Sequence, residues 1–220
     1  TDIQKAINYS MTSFIGTGGT RGNKKHVGRF YPRSFNMGIS RKVYETIGGM
    51  GGLRHGQDMD YSMRIYNAGF KVGLIPDAYV FHKRRTSIPK FFRQIFNWGV
   101  ARINLSRRHP HTLKAVHLLP AILVLGLLLL AIVTCFTGQA FLPIHILWLL
   151  AGYGLLAVCL LAFFQSLGRY HNLSVAFLSI ITLLIQVFAY GFGLLWGGWN
   201  ALLGKEVKGF SKNYYGSKKS

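Results

Sequence analysis

The sequence predicts two regions of different class: a polar α/β domain and, after it, an all-α transmembrane segment of about three helices. Three observations carry this reading. Half of the 220 residues are hydrophobic, yet they are concentrated in residues 115–200. The basic residues lie elsewhere: 20 of the 26 Lys and Arg fall in residues 1–114. Within that polar part, helical patterns alternate with two short strand-like runs. The organisation that follows is a polar domain over residues 1–86 and an amphipathic interfacial helix with a basic juxtamembrane segment over 87–114. Transmembrane helices over 115–200 and a basic tail over 201–220 complete it.

The elements are taken in chain order. Ile3, Ile7, Ser10, Met11 and Phe14 form a short helical stripe. Gly16-Thr17-Gly18-Gly19-Thr20-Arg21-Gly22 reads as a loop, which with Arg21, Lys24 and Lys25 is either a phosphate cradle or an ordinary flexible connection; it matches neither a P-loop nor a dinucleotide fingerprint. Residues 40–47 read as a helix ended by Gly48-Gly49, and residues 58–68 as another stopped by Gly69. Residues 70–75 and 78–81 read as short strands joined through Pro76-Asp77. Ser87 caps a further helix with Pro89 in its first turn. Its apolar face holds Ile88, Phe91, Phe92, Ile95, Phe96 and Ile103, and its polar face Lys90, Arg93, Asn97 and Asn104. Such a helix suits the headgroup layer.

Three apolar runs follow, at residues 115–136, 141–164 and 173–196. Each reaches the roughly 20 residues that a spanning helix needs, and none contains Asp, Glu, Lys or Arg. Trp148, Trp196 and Trp199 include interfacial anchors. Arg102, Arg107, Arg108 and Lys114 before the first run, and Arg169 after the second, place the polar domain and the Arg169 loop in the cytoplasm by the positive-inside rule. Three full spans would then send Lys205, Lys208, Lys212, Lys218 and Lys219 to the far side. The sequence favours three full spans; the alternative is a third run that re-enters, for which Gly191, Gly193, Gly197 and Gly198 leave room.

The net charge of +20 calls for anionic partners. Zinc-finger spacing and a basic helical stripe are both missing, which argues against nucleic acid. Anionic membrane lipids and sugar diphosphates fit better. Cys135 and Cys159 lie within apolar runs and read as buried thiols. The start at Thr1 has no signal-peptide pattern and reads as the interior of a larger protein.

Acidic residues are scarce, so Asp58 and Asp60 stand out. They sit where Gly56-Gln57 leads into a helix. Three readings are open: helix capping, a metal-binding Asp-X-Asp pair, or a general base at Asp58 with Asp60 structural or orienting. Gln94 and Trp98 lie one turn apart on the following helix, with the first apolar run close behind. A carboxylate site joined directly to a membrane anchor suggests chemistry at a bilayer surface, on a lipid-linked or emerging acceptor.

Arg33-Ser34-Phe35-Asn36-Met37-Gly38-Ile39-Ser40-Arg41, Gly48-Gly49, Gly56-Gln57-Asp58-Met59-Asp60-Tyr61 through Arg64 and Gly69, then Pro76-Asp77-Ala78 and His82, together resemble the acceptor half of family 2 glycosyltransferases. Gln94-Ile95-Phe96-Asn97-Trp98 is similar to the Gln-x-x-Arg-Trp motif of that family's membrane synthases. The likeness covers about residues 1–110, and the apolar segment fits the membrane-anchored branch.

The resemblance implies a partial GT-A-like α/β domain and inverting transfer from a nucleotide-sugar to a lipid-linked or polysaccharide acceptor. It also implies an integral protein of the bacterial inner membrane with its polar domain cytoplasmic. It places the catalytic base on Asp58, with Gln57, Asp60 and Arg64 supporting it. Acceptor binding falls on Gln94 and Trp98, Trp98 stacking on a sugar ring unless it is an interfacial anchor. Diphosphate or metal contact falls on His82, Arg84 and Arg85, although a lone His ending a strand is often structural. Gln57 stands where the family has Glu, and Asn97 where the synthases have Arg, which points to single addition rather than processive polymerisation. The donor half of the family has no counterpart in these residues. The nucleotide-sugar donor, and the Mg2+ or Mn2+ that accompanies it, are therefore expected to bind through that other half. The alternative is a non-catalytic membrane-embedded scaffold or acceptor-presenting partner.

Overall fold

The computed structural model of the chain describes residues 1–17, 29–53, 55–137 and 142–205. The glycine loop beyond Thr17 with Arg21, Lys24 and Lys25, the connection at Gly138-Gln139-Ala140, and Lys208, Lys212, Lys218 and Lys219 lie outside the described residues.

The polar part corrects the expected class. Of the described residues, 73% are helical and none lies in a strand, so no α/β GT-A-like domain is seen in them. The two runs read as strands, 70–75 and 78–81, are unpaired coil. Phe70 and Val72 pack on the small cluster of Val43, Tyr61 and Ile65. Beyond them Ile75, Tyr79 and Phe81 stay exposed, Phe81 at 95%. Strand propensity is a preference for a half-buried pleated surface, and a lone two-stranded ribbon is marginal in water. Without a sheet to join, these β-branched and aromatic residues form no ladder.

Helix α1 (Asp2–Thr12) starts at Thr1, whose hydroxyl donates to Gln4 Oε1 at 3.0 Å. It buries Ile7, Tyr9 and Met11, and Phe14 begins a single separate turn, α2 (Phe14–Thr17), and is exposed. Helix α3 (Arg41–Ile47) is capped by Ser40 and ended at Gly48, whose φ of 72° suits a residue without Cβ. Helix α4 (Gln57–Asn67) runs one residue ahead of the predicted bounds and is entered through Gly56 at φ 81°. Helix α5 (Ile88–Arg108) has its proline in the first turn. Helices α6 (Ala115–Thr137), α7 (Leu142–Tyr170) and α8 (Leu173–Leu202) follow. These three are long and apolar enough to cross a membrane, as the runs of the sequence predicted.

Helix α8 is the spine. Thr182 donates to the carbonyl of Ala6 at 3.0 Å, and Leu183 packs with Tyr9 and Ala162, so α1 and the end of α7 cover its first half. Its second half lies against α5. Phe91 and Ile95 pack with Ala189, Ile7 and Met11. A Cβ on Gly99 would strike the backbone of Tyr190 and Gly193, and one on Gly193 the carbonyl of Phe96. Both glycines are therefore required where the two backbones touch. Each large apolar side chain buried there contributes on the order of 1.5–3 kcal/mol.

The expected headgroup face of α5 is thus a protein interface. Phe91 and Ile95 meet α8 and α1, and Ile103 lies beside Gly197. Asn97, placed on the polar face by the sequence, is buried at 5% exposure. The opposite side of α5 is covered too: Leu105 packs with Leu53 and Met63, and Ala101 lies 3.8 Å from the Cβ position of Gly56. Helix α5 therefore stands between the α3–α4 unit and α8, and it carries the candidate site onto the apolar helices.

Candidate functional site

The site forms where the chain turns from Gly51 through Gly56 into α4. Gly56 adopts a left-handed conformation, which lets the chain reverse into the helix at Gln57. Asp58 and Asp60 then both fall in the first turn, where the helix dipole favours negative charge. The N-cap itself is Gly56, with no side-chain cap bond; Asp58 Oδ1 accepts from the backbone N–H of Met59 at 2.9 Å.

Beyond that, the two carboxylates differ sharply. Asp58 Oδ2 faces Arg33 Nη1 at 3.6 Å, and its side chain keeps 20% exposure. Asp60 is 4% exposed. Its Oδ1 meets His109 Nε2 at 2.9 Å and its Oδ2 meets Arg64 Nε at 3.3 Å. Arg64 also donates to the carbonyls of Ile47 and Gly49 at 2.9 and 2.7 Å, and its guanidinium lies over the Tyr61 ring. Asp60 is therefore a buried hub that ties α4 to the end of α3 and to the C-terminus of α5. Both of its oxygens are engaged, by His109 and Arg64. Asp58 is the more accessible of the two carboxylates.

Gln57 has a role that its neighbours explain. Its Nε2 donates to the carbonyl of Gly51 at 3.1 Å, closing the glycine loop over the helix start. A glutamate cannot donate there. Gln57→Glu is expected to lower stability by about 1 kcal/mol, the cost of the lost bond partly offset by the helix dipole, and to leave turnover no higher. Urea melts and initial rates on the same preparation check both halves. A rise in turnover with unchanged stability would show that the position wants a charge.

The remaining sequence-predicted residues take other partners. Gln94 Oε1 accepts from Arg85 Nε at 3.3 Å. Trp98 packs on the cluster of Ile7, Met11, Phe91, Ile95 and Ala189. His82 is exposed and stacks on Phe35, ring centroids 4.2 Å apart. Arg84 is half-buried, donates from Nε to Asn8 at 3.1 Å and offers its carbonyl to Gln4; burial lowers its pKa from the usual arginine value, an effect that Tyr170 opposes. His82, Arg84 and Arg85 therefore have separate partners and do not converge on a diphosphate. Among the described residues no three His, Cys, Asp or Glu side chains group to hold a metal ion.

Sequence reasoning misses two members of the site. It reads Arg33 only as part of a longer motif, and it does not single out His109 at all. His109 is 49 residues from Asp60, and only its place at the end of a helix aimed back at α4 could flag it.

No curated protein and no solved structure matches the chain. Residues 14–193 match glycosyl transferase family 21, a span that takes in α3, α4, the Asp58 site, α5 and most of the apolar helices, and the chain belongs to that family of glycosyltransferases.

Proposed function

We propose that this chain supplies the base and the acceptor side of an inverting glycosyl transfer, from a nucleotide-sugar to a lipid-linked or glycan acceptor at a membrane surface. The observation that carries the reading is the contrast at the start of α4: Asp60 is sealed by Arg64 and His109, while Asp58 stays partly open beside Arg33. Family membership supports the class of reaction, and the three apolar helices support a membrane setting.

The chemistry needs one base. The acceptor hydroxyl oxygen attacks the anomeric carbon in line, and its proton passes to the Asp58 carboxylate. The new bond joins that oxygen to the anomeric carbon. The bond from the anomeric carbon to the diphosphate breaks, and the nucleoside diphosphate leaves from the opposite face, inverting the centre. The donor, with any divalent cation on its diphosphate, is assigned to residues outside those described, and no step here is routed through the cation. The basic surface draws the polar part to anionic lipids, with the cytoplasmic face of a bacterial inner membrane as the proposed location.

Trp98 tests the acceptor side. One ring-stacking contact is worth roughly 1–3 kcal/mol by analogy with base–aromatic stacking, so Trp98→Ala is expected to cut kcat/KM for acceptor about 5- to 150-fold, and Trp98→Phe to recover much of it. Acceptor kinetics at matched amounts of folded, inserted protein are the measurement. If Trp98 serves only the cluster against α8, Ala lowers stability and leaves acceptor dependence alone. The second reading, an acceptor-presenting scaffold without catalysis, is favoured by the structural role of Gln57. It predicts that, once the chain is combined with its donor-binding half, donor and acceptor, transfer of radiolabelled sugar is the same for Asp58→Asn as for the unaltered chain.

A further inference from the structure

We infer that α8 does not cross the bilayer but lies in the plane of the leaflet on the polar domain's side, so that both of its ends and the polar domain share one side of the membrane. The inference stands on packing geometry and does not depend on the catalytic reading.

The first observation is the direction of α5. Going along it, Phe91 and Ile95 meet Ala189, Phe96 meets Gly193, Val100 and Ile103 meet Gly197, and Arg107 Nη1 donates to the carbonyl of Lys205 at 3.1 Å. The two helices therefore run parallel and in contact over the whole second half of α8. A spanning α8 would carry α5 through the hydrocarbon with it. Helix α5 is unfit for that: Lys90 and Arg93 are exposed, Arg102 is only partly covered, and its outer face holds Leu105 against the α3–α4 unit. Charged side chains facing lipid are strongly disfavoured.

The second observation concerns the other end of α8. Arg169 and Tyr170, just before it, bond Thr12 and Asn8 of α1 at 3.1 Å each, and Thr182 bonds the carbonyl of Ala6. Parts of the polar domain thus grip α8 near its start and near its end. A helix of 30 residues is about 45 Å long, against about 30 Å of hydrocarbon. If it crossed, its two grips would lie on opposite sides of the bilayer.

The third observation is what α8 leaves uncovered. Leu173, Phe177, Ile181, Phe192, Trp196 and Trp199 are each 42–61% exposed and fall on one face at helical spacing. The face away from them holds Ser179, Thr182, Gln186, Ala189, Gly193 and Gly197, buried against protein. An apolar stripe with two tryptophans, opposite a protein-covered face, is what a helix seated in the acyl boundary presents. Helices α6 and α7 differ: their most apolar windows are only 11% and 6% buried, against 39% for α8. They are the two crossings, and the occupant of the α8 stripe is the acyl layer of the near leaflet. The basic residue Lys205 then stays on the side of Arg107 and Arg108, which removes the conflict that three full spans create with the positive-inside rule.

The test uses the full chain in sealed vesicles, with Cys135→Ala and Cys159→Ala as background. Ser34→Cys and Lys205→Cys, introduced singly, are expected to react with a membrane-impermeant maleimide from the same side; reaction from opposite sides overturns the inference. Independently, spin labels at Phe177→Cys, Ile181→Cys, Phe192→Cys and Trp199→Cys read depth from oxygen against nickel-chelate accessibility. One shallow depth at all four is expected. A spanning helix would travel about 27 Å along the normal between residues 181 and 199, and that gradient would sink the idea. Low oxygen accessibility at all four positions would mean that another protein surface, such as a second copy, covers the stripe, and would overturn the lipid assignment.

Discussion

Asp58→Asn, in the enzyme completed by its donor-binding half, is expected to lower turnover by about 10²–10⁴, the usual contribution of a positioned base, while the fold stays intact. The geometry makes this variant clean. Asp58 accepts one backbone hydrogen bond, from Met59 to Oδ1 at 2.9 Å, and an asparagine oxygen accepts that bond equally well. Asparagine gives up only the ion pair with Arg33 at 3.6 Å, between side chains that are 38% and 20% exposed, and pairs of that kind stabilise by about 1 kcal/mol or less. A fall in turnover far beyond what stability explains is then chemistry. The measurement is sugar transfer at saturating donor and acceptor, normalised to folded protein. Near-normal turnover would remove Asp58 from the role of base and leave it a first-turn carboxylate on the helix dipole, and the scaffold reading would gain by the same amount.

Asp60→Ala is expected to act on the fold instead, destabilising by about 3–5 kcal/mol, the range for removing one partner from a buried ion pair. The carboxylate is 4% exposed and is shared by Arg64 and His109. Its loss leaves a guanidinium and an imidazole facing a small cavity. Arg64 keeps its bonds to Ile47 and Gly49, which holds the expected figure toward the lower end. Chemical denaturation in detergent reads the change, and a double-mutant cycle with His109→Phe separates the His109 share. Turnover per folded molecule should fall much less than for Asp58→Asn. A destabilisation under about 1 kcal/mol would show that the hub is incidental, since that is the scale of a single exposed pair.

The paired variants also bear on how the site is built. Asp58 and Asp60 share the first turn of α4 but have opposite surroundings, because α5 returns His109 to one of them and leaves the other facing Arg33 and solvent. The same helix rests on α8 through Gly99 and Gly193. Stability of the polar part and seating on the apolar helices are therefore properties of one strut.

The sequence alone determined what depends on neighbours a few residues away. The three long apolar helices follow from composition over about 20 residues. The ends of α3 and α4 follow from Ser40, Gly48, Gly56 and Gly69, because capping and left-handed backbone are decided locally. The amphipathic character of α5 and the prominence of Asp58 and Asp60 were legible for the same reason. Tertiary structure decided the rest. Residues 70–75 and 78–81 have strand chemistry, yet a strand exists only with a partner edge, and the fold offers none among the described residues. The apolar face of α5 reads the same whether lipid or protein covers it; only the approach of α8 showed that it is protein, and that Asn97 is buried with it. The surroundings of the two aspartates were fixed by Arg33 and His109, 25 and 49 residues away, and such pairings carry no local signature. Periodicity states that a face must be covered and a charge must be answered; which distant residue does so is set by the packing of whole helices against one another.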